Sequence, residues 1–328
     1  MADVAALGEI LVDFTSGGIS ENGSPVFIAN PGGAPGNLLV ALSRLGKDTT
    51  FIGAVGKDKF GMMLEDTLKD YGVSTAGMVH SDIHTTLAFV HINESGDRSF
   101  SFCRNPGADV MLSSNELKPD LITGSKIFHV GSLSMTNNPS REATREALKI
   151  AKSHKITISC DPNLRLSLWK SQEEAKERIK EILSYADIAK LSEEELEFLT
   201  GTNKVEKGAS EVLEQYNMSL LFITAGSKGS YCFSEKTGLF EAGMPIKAID
   251  TTGCGDAFFA GILYKVLDNN MQYKGLTEKM IKDLLVFGNA MGAYVARKQG
   301  GIPALPDLPE INKFILDKNR KDHEKMKQ

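Results

Sequence analysis

The residues Asp250-Thr251-Thr252-Gly253-Cys254-Gly255-Asp256 run directly into an apolar stretch, residues 257–267, broken by Lys265. A stretch that is apolar nearly all round reads as a buried helix. Gly253, Cys254 and Gly255 then form a turn at its start, where backbone N–H groups have no partner inside the helix. Those N–H groups and the helix dipole both favour an anion above the terminus. Asp256 stands at the same terminus, and its carboxylate has two readings. It can cap the helix, or, if the anion is a phosphoryl group in transfer, it can accept the proton of the attacking hydroxyl.

Further polar residues fall where chemistry is expected. Asp13 closes an apolar run at 4–14, and the C-terminal end of a parallel strand is where open α/β sheets bind ligands; a solvated strand end is the alternative. Pro31-Gly32-Gly33-Ala34-Pro35-Gly36-Asn37 opens an amphipathic helix that runs to Leu45 and stops at Gly46. Its glycine pair allows close backbone approach to a ligand, with Asn37 facing back toward it, although a ligand-free Gly/Pro-rich helix start looks the same. Arg104 carries a guanidinium fork suited to sugar hydroxyls or phosphate, or is simply solvated. Asn163 and Arg165 follow a strand and offer donors suited to phosphate oxygens. Trp169 reads as core or rim packing.

These residues need a scaffold. Continuous apolar runs suit parallel strands buried on both faces. Such strands are expected at 4–14, 50–55, 126–133, 156–161, 186–191 and 220–225, with helices to about 71 and at 140–154 and 279–298. Residues 15–30 interrupt that rhythm and read as a hairpin turning near Glu21-Asn22-Gly23. Residues 85–93 and 98–104 flank a second turn, Glu94-Ser95-Gly96-Asp97. The fold class is therefore α/β: a mainly parallel sheet with helices on both faces in one domain, 1–328. A small β lid is expected at about 14–31 and 84–105, and a charged, frayed tail from 317.

Composition excludes several classes. A net charge of −5 argues against broad nucleic-acid binding. No apolar run approaches the roughly 20 residues of a membrane span, and the first residues lack the positive region of a signal peptide. Four cysteines without a C-x-x-C pair and six histidines without H-E-x-x-H spacing exclude a disulfide framework and a protein-held transition metal. Reduced thiols in a cytoplasmic protein are expected. The turn Thr224-Ala225-Gly226-Ser227-Lys228-Gly229 is neither a P-loop nor a dinucleotide fingerprint.

The segment from Asp250 to Gly261 resembles the C-terminal signature of the ribokinase-like (phosphofructokinase-B) carbohydrate kinases, Asp-Thr-x-Gly-small-Gly-Asp, with Cys254 where Ala is frequent. Gly32, Gly33 and Asn37 are similar to the family's N-terminal Gly-Gly-x-x-x-Asn, and the resemblance spans Gly8 to Pro303. It implies that Asp256 is the catalytic base, that Gly253, Cys254 and Gly255 build the anion hole, and that Asp13, Gly32, Gly33 and Asn37 hold the sugar. The family's Asn-x-x-Glu magnesium motif has Ser192 in place of Asn, while Glu195 keeps the acidic position and would act on Mg²⁺ through water. Lys190, Thr224, Gly226, Ser227, Gly229 and Asn289 would face ATP, and the carbonyls of Asp250 and Thr252 would bind K⁺. The arrangement from Phe102 through Arg104 to Asp109 resembles the fructokinase branch. The segment from Asp161 to Arg165 is shared by that branch and the ketodeoxygluconate kinases, which implies substrate contact for Arg104, Asn163 and Arg165. The implied substrates are fructose and ATP, the implied assembly a homodimer through the lid. Another sugar kinase of the family, or a non-catalytic sugar-binding protein, is the alternative.

Overall fold

The computed structural model describes residues 1–92 and 98–325; the expected turn at 94–97 lies outside them. Its strands, in chain order, are β1 (Ala2–Leu7), β2 (Leu11–Ile19), β3 (Pro25–Gly32), β4 (Thr49–Gly56), β5 (Ser74–Ser81), β6 (Leu87–Ile92), β7 (Arg98–Cys103), β8 (Ser125–Val130), β9 (Thr157–Cys160), β10 (Ile188–Ser192), β11 (Leu220–Thr224), β12 (Gly229–Phe233) and β13 (Gly238–Ala242). Nine of them form one sheet in the order β13-β12-β11-β10-β9-β8-β1-β4-β5. The pairings from β11 across to β5 are parallel, and β12 and β13 add antiparallel strands at one edge.

The apolar strands are buried on both sides, as a parallel sheet between helix layers requires. Along β1, Val4 and Ala6 enter one core while Ala5 and Leu7 enter the other. The first core packs against α1 (Ala34–Arg44), α2 (Lys59–Asp70), α8 (Cys254–Asp268), α9 (Glu278–Val295) and α10 (Leu308–Lys325). The second packs against α3 (Pro119–Thr123), α4 (Ser140–Ser153), α5 (Gln172–Leu183), α6 (Glu193–Thr200) and α7 (Val205–Tyr216). Helix α8 is apolar nearly all round because it lies between α1 and α9 and over the sheet.

The four remaining strands form the lid sheet, in the order β3-β2-β6-β7. Phe14 of β2 stacks on Phe89 of β6 at 5.1 Å and meets Phe60 of α2 edge-on, which seats the lid on the core.

Four expectations need correction. The run at 4–14 is two strands in two sheets, because the chain leaves the core at Gly8, where a side chain would collide with Pro35 at the start of α1. Asp13 therefore lies on lid strand β2, opposite Asn30, and not at the end of a core strand. Strand β5 adds to the strands expected from apolar runs, since an edge strand of Ser, Thr and His carries no continuous apolar run. The C-terminal tail is helical to Lys325, anchored by Ile311 and by Phe314, whose ring meets Tyr294 and the Arg297 guanidinium.

Candidate active site

Gly253 caps α8 in the left-handed region, φ 75°, a conformation in which only glycine is unstrained. Its turn is pinned from behind. The Asp250 carboxylate accepts from Thr252 N at 2.7 Å and Gly300 N at 3.0 Å, while Ile249 N and Asp250 N both donate to Ala296 O. The anion-hole turn is thus tied to residues 296–301, and the Asp250 side chain, read from sequence only through its carbonyl, is one of the ties.

Asp256 lies in the first turn of α8, but no side chain caps that helix. Its buried carboxylate instead accepts from Asn37 Nδ2 at 2.7 Å and from Asn163 Nδ2 at 3.0 Å, one amide on each oxygen. Burial raises its pKa to about 6, with Asp161 adding to the shift and Asn37, Lys190 and Arg165 opposing it. Lys190, in the middle of β10, pairs with Asp161 at 2.9 and 3.0 Å, and a side chain at Gly255 would come within 3.2 Å of its Nζ. Burial works against the Lys190 charge, but Asp161 and Glu195 hold its pKa above the usual lysine range.

These groups face a cleft of about 720 Å³. Asp13 and Phe102 enter it from the lid, Gly33 and Asn37 from α1, Asn163 and Arg165 from the loop after β9, Lys190 and Thr224 from β10 and β11, and Thr252, Gly253, Gly255 and Asp256 from the α8 turn. A side chain at Gly32 would collide with the Asp13 carboxylate, which explains the first glycine of the pair. Burial raises Asp13 to about 7, opposed by Arg165 and supported by the charges of Asp256 and Asp250. Sequence reasoning missed Glu9, which also lines the cleft; the available signal was an acid directly after the apolar run of β1.

Several expected residues have other commitments. The Arg104 side chain is 2% exposed and bonds Asp109 Oδ2, Thr136 Oγ1 and Leu133 O, so its guanidinium is held inside the protein and not in the cleft lining. Asn289 accepts from Ser230 Oγ and donates to Glu241 O and Ala242 O, which pins β12 and β13 to α9. Gly226, Ser227 and Gly229 shape the turn between β11 and β12 outside the lining, with both glycines at positive φ. Cys254 is half-buried with its Sγ 3.9 Å from Asp250 O. Glu195, which lines the cleft, accepts from Ser192 N at 2.8 Å and Leu164 N at 2.7 Å, one bond on each oxygen, with acceptor capacity left on both. The Ser192 hydroxyl accepts in turn from Glu195 N at 3.1 Å, completing a capping box at the start of α6. Among the described residues no cluster of three or more His, Cys, Asp or Glu is arranged to hold a metal ion, and no helix is long and apolar enough to cross a membrane.

A helix N-terminus opening on the cleft beside a buried carboxylate with a raised pKa is an arrangement that can stabilise a phosphoryl group and accept a hydroxyl proton. The pfkB family carbohydrate kinase model matches residues 1–308, and the chain belongs to that family of carbohydrate kinases. Fructokinase-2 of Solanum lycopersicum is 42% identical over 310 residues, 94% of each chain. The crystal structure of the Xylella fastidiosa fructokinase with bound ATP matches with a TM-score of 0.88 and 31% identity, covering 97% of this chain and 100% of that one. A double mutant of the Vibrio cholerae O395 fructokinase, bound to fructose, ADP and potassium ion, matches with a TM-score of 0.85 and 32% identity over 96% of this chain and 98% of that one.

Proposed function

We propose that this chain transfers the γ-phosphoryl group of ATP to the primary hydroxyl of D-fructose, giving fructose 6-phosphate and ADP. The observation that carries this reading is the Asp256 carboxylate, buried, held at both oxygens and adjoining the anion-hole turn. Asp13, Gly32, Gly33 and Asn37 orient the sugar. Asp256 takes the hydroxyl proton as that oxygen attacks in line, and the N–H groups of Gly253, Gly255 and Asp256 with Lys190 stabilise charge on the phosphoryl oxygens, while Cys254 N donates to Thr251 O and closes the turn. Seating of the lid excludes water, the competing acceptor.

Mg²⁺ would be held largely by the nucleotide and its own waters. Glu195 lines the cleft with acceptor capacity left on both oxygens and would act on Mg²⁺ through those waters, with the exposed Glu194 carboxylate beside it. When bound, Mg²⁺ neutralises phosphate charge. The carbonyls of Asp250 and Thr252 supply the hard oxygen donors suited to K⁺, and the ties between this turn and 296–301 hold them in place. Thr224 and the turn at 226–229 flank the nucleotide. Exposed Ile19, Val26, Phe27 and Ile28 on the lid support a homodimer through that sheet. Four free cysteines among the described residues support a reducing, cytoplasmic setting.

The test is a panel of fructose, ribose, ketodeoxygluconate and adenosine at equal concentration with ATP. The highest kcat/KM is expected for fructose. A higher value for ketodeoxygluconate or ribose would leave the kinase mechanism standing and overturn the choice of sugar.

A further inference from the structure

Asp161 is 2% exposed and stands behind the cleft wall: Asn163 and Lys190 line the cleft, and Asp161 does not. It follows directly on β9, and its N–H donates to Val130 O of β8 at 3.2 Å, so its backbone continues the core sheet. Its carboxylate accepts from Lys190 Nζ on both oxygens, at 3.0 and 2.9 Å. Oδ1 accepts in addition from Asn163 N at 3.2 Å. Asn163 is held at φ 47°, and from there its side chain reaches the Asp256 carboxylate. One buried acid therefore holds both the lysine that faces the cleft and the residue whose amide holds the base. A buried ion pair adds little net stability over an apolar pair of similar volume, so stability is a weak reason for this one and the placing of two groups a stronger one.

We propose that Asp161 is a positioning residue for phosphoryl transfer: it touches neither substrate, and through Lys190 and Asn163 it sets where the phosphate-binding cation and the base stand relative to each other. This rests on the kinase reading above, though on no particular sugar. Charge gives the arrangement a signature. Asp161 raises the pKa of Asp256 and Lys190 lowers it, and the Asp161 effect is the larger. Removing the Asp161 charge therefore lowers that pKa whether or not Lys190 keeps its proton. Other charged groups surround the pair and the base: Arg165 from the same loop, Glu194 and Glu195 from α6, Asp250 ahead of α8, and Glu9 and Asp13 toward the lid. On the core side, burial keeps His129 of β8 neutral, its pKa lowered to about 3, and pushes the Cys160 thiol up. A substitution at Asp161 changes none of these residues, so they enter wild type and variant alike.

The experiment measures kcat against pH at saturating ATP and saturating sugar, using the sugar that wild type turns over best. It compares wild type, Asp161→Asn and Asp161→Ala. Asn keeps an oxygen for Asn163 N and removes the charge beside Lys190. In Asp161→Asn, kcat should fall about 10- to 100-fold while both KM values stay within about threefold. The midpoint of the pH profile should move down by about half a unit or more. That direction is opposite to the one expected for Asn163→Ala, which removes a donor from the base. Asp161→Ala frees Asn163 as well and should cost a further factor of about three or more, and on an Asn163→Ala background that extra loss should disappear. If Asp161→Asn fails to fold, Asp161→Glu, which keeps the charge and shifts its oxygens by one methylene, should still lower kcat about tenfold with little change in either KM. Wild-type kcat in the folded variant, a loss confined to KM, an unmoved midpoint in Asp161→Asn, or an extra Ala loss that persists without the Asn163 side chain overturns the proposal. Wild type that phosphorylates none of the substrates in the panel overturns the kinase reading itself, and that outcome is distinct because it needs no variant.

Discussion

The central strands of the nine-stranded sheet are buried on both faces, whereas the four-stranded lid leaves Ile19, Val26, Phe27 and Ile28 exposed on β2 and β3. The groups that would move a proton and hold a phosphate stand on the first: Asp256 on α8, Lys190 on β10 and Asp161 after β9. Each is fixed by partners from distant parts of the chain. Asp13, which would hold the sugar, stands on the second. Chemistry thus sits on the rigid region, and recognition is shared with the one that packs less completely. The division predicts that variants of the first region act on kcat and variants of the second on KM.

Asp256→Asn should show the largest effect. Asn keeps the shape but cannot accept the proton, so kcat should fall at least about 100-fold while both substrates still bind within a few fold. Retention of a tenth of wild-type kcat would remove Asp256 from the role of base. Asp13→Asn sharpens the contrast from the lid side. KM for fructose should rise about 10- to 100-fold with a smaller change in kcat, as expected when a site loses an acceptor for a substrate hydroxyl. A fall in kcat at constant KM would erase the distinction between the two regions. Asn163→Ala removes one donor from the Asp256 carboxylate, and a charge-assisted bond of this kind is worth about tenfold in rate. The same change should move the Asp256 pKa upward, because a donor that favours the ionised form is lost. Steady-state kinetics at two pH values measures both effects.

Legibility in the sequence followed the same divide. The core strands announce themselves through continuous apolar runs such as those of β1, β8 and β11, and the anion hole through its two glycines and adjoining acid. The lid is legible, but its first strand reads as continuous with β1, because the close approach of Pro35 to Gly8 between the two strands is visible only in the fold. Side-chain commitments were the least legible. Arg104 and Asn289 carry donors that suit a ligand, yet Asp109 and the β12–β13 backbone take them, and only the fold brings those partners within reach. Asn163 is the converse case. Its sequence context implies a substrate contact, and it lines the cleft, but only the fold shows that its amide also holds Asp256.

The central claim is that a buried carboxylate on the core accepts the proton of the sugar hydroxyl. Its most direct test is the pH dependence of kcat for wild type at saturating ATP and fructose. A base must be ionised to act, and burial raises Asp256 to about 6. The rate should therefore be low at acid pH, rise with unit slope and level off above a midpoint near 6, moved upward by the charge of the bound phosphates. A kcat that stays flat from about pH 5 to pH 8, with chemistry shown to be rate-limiting, would contradict the account.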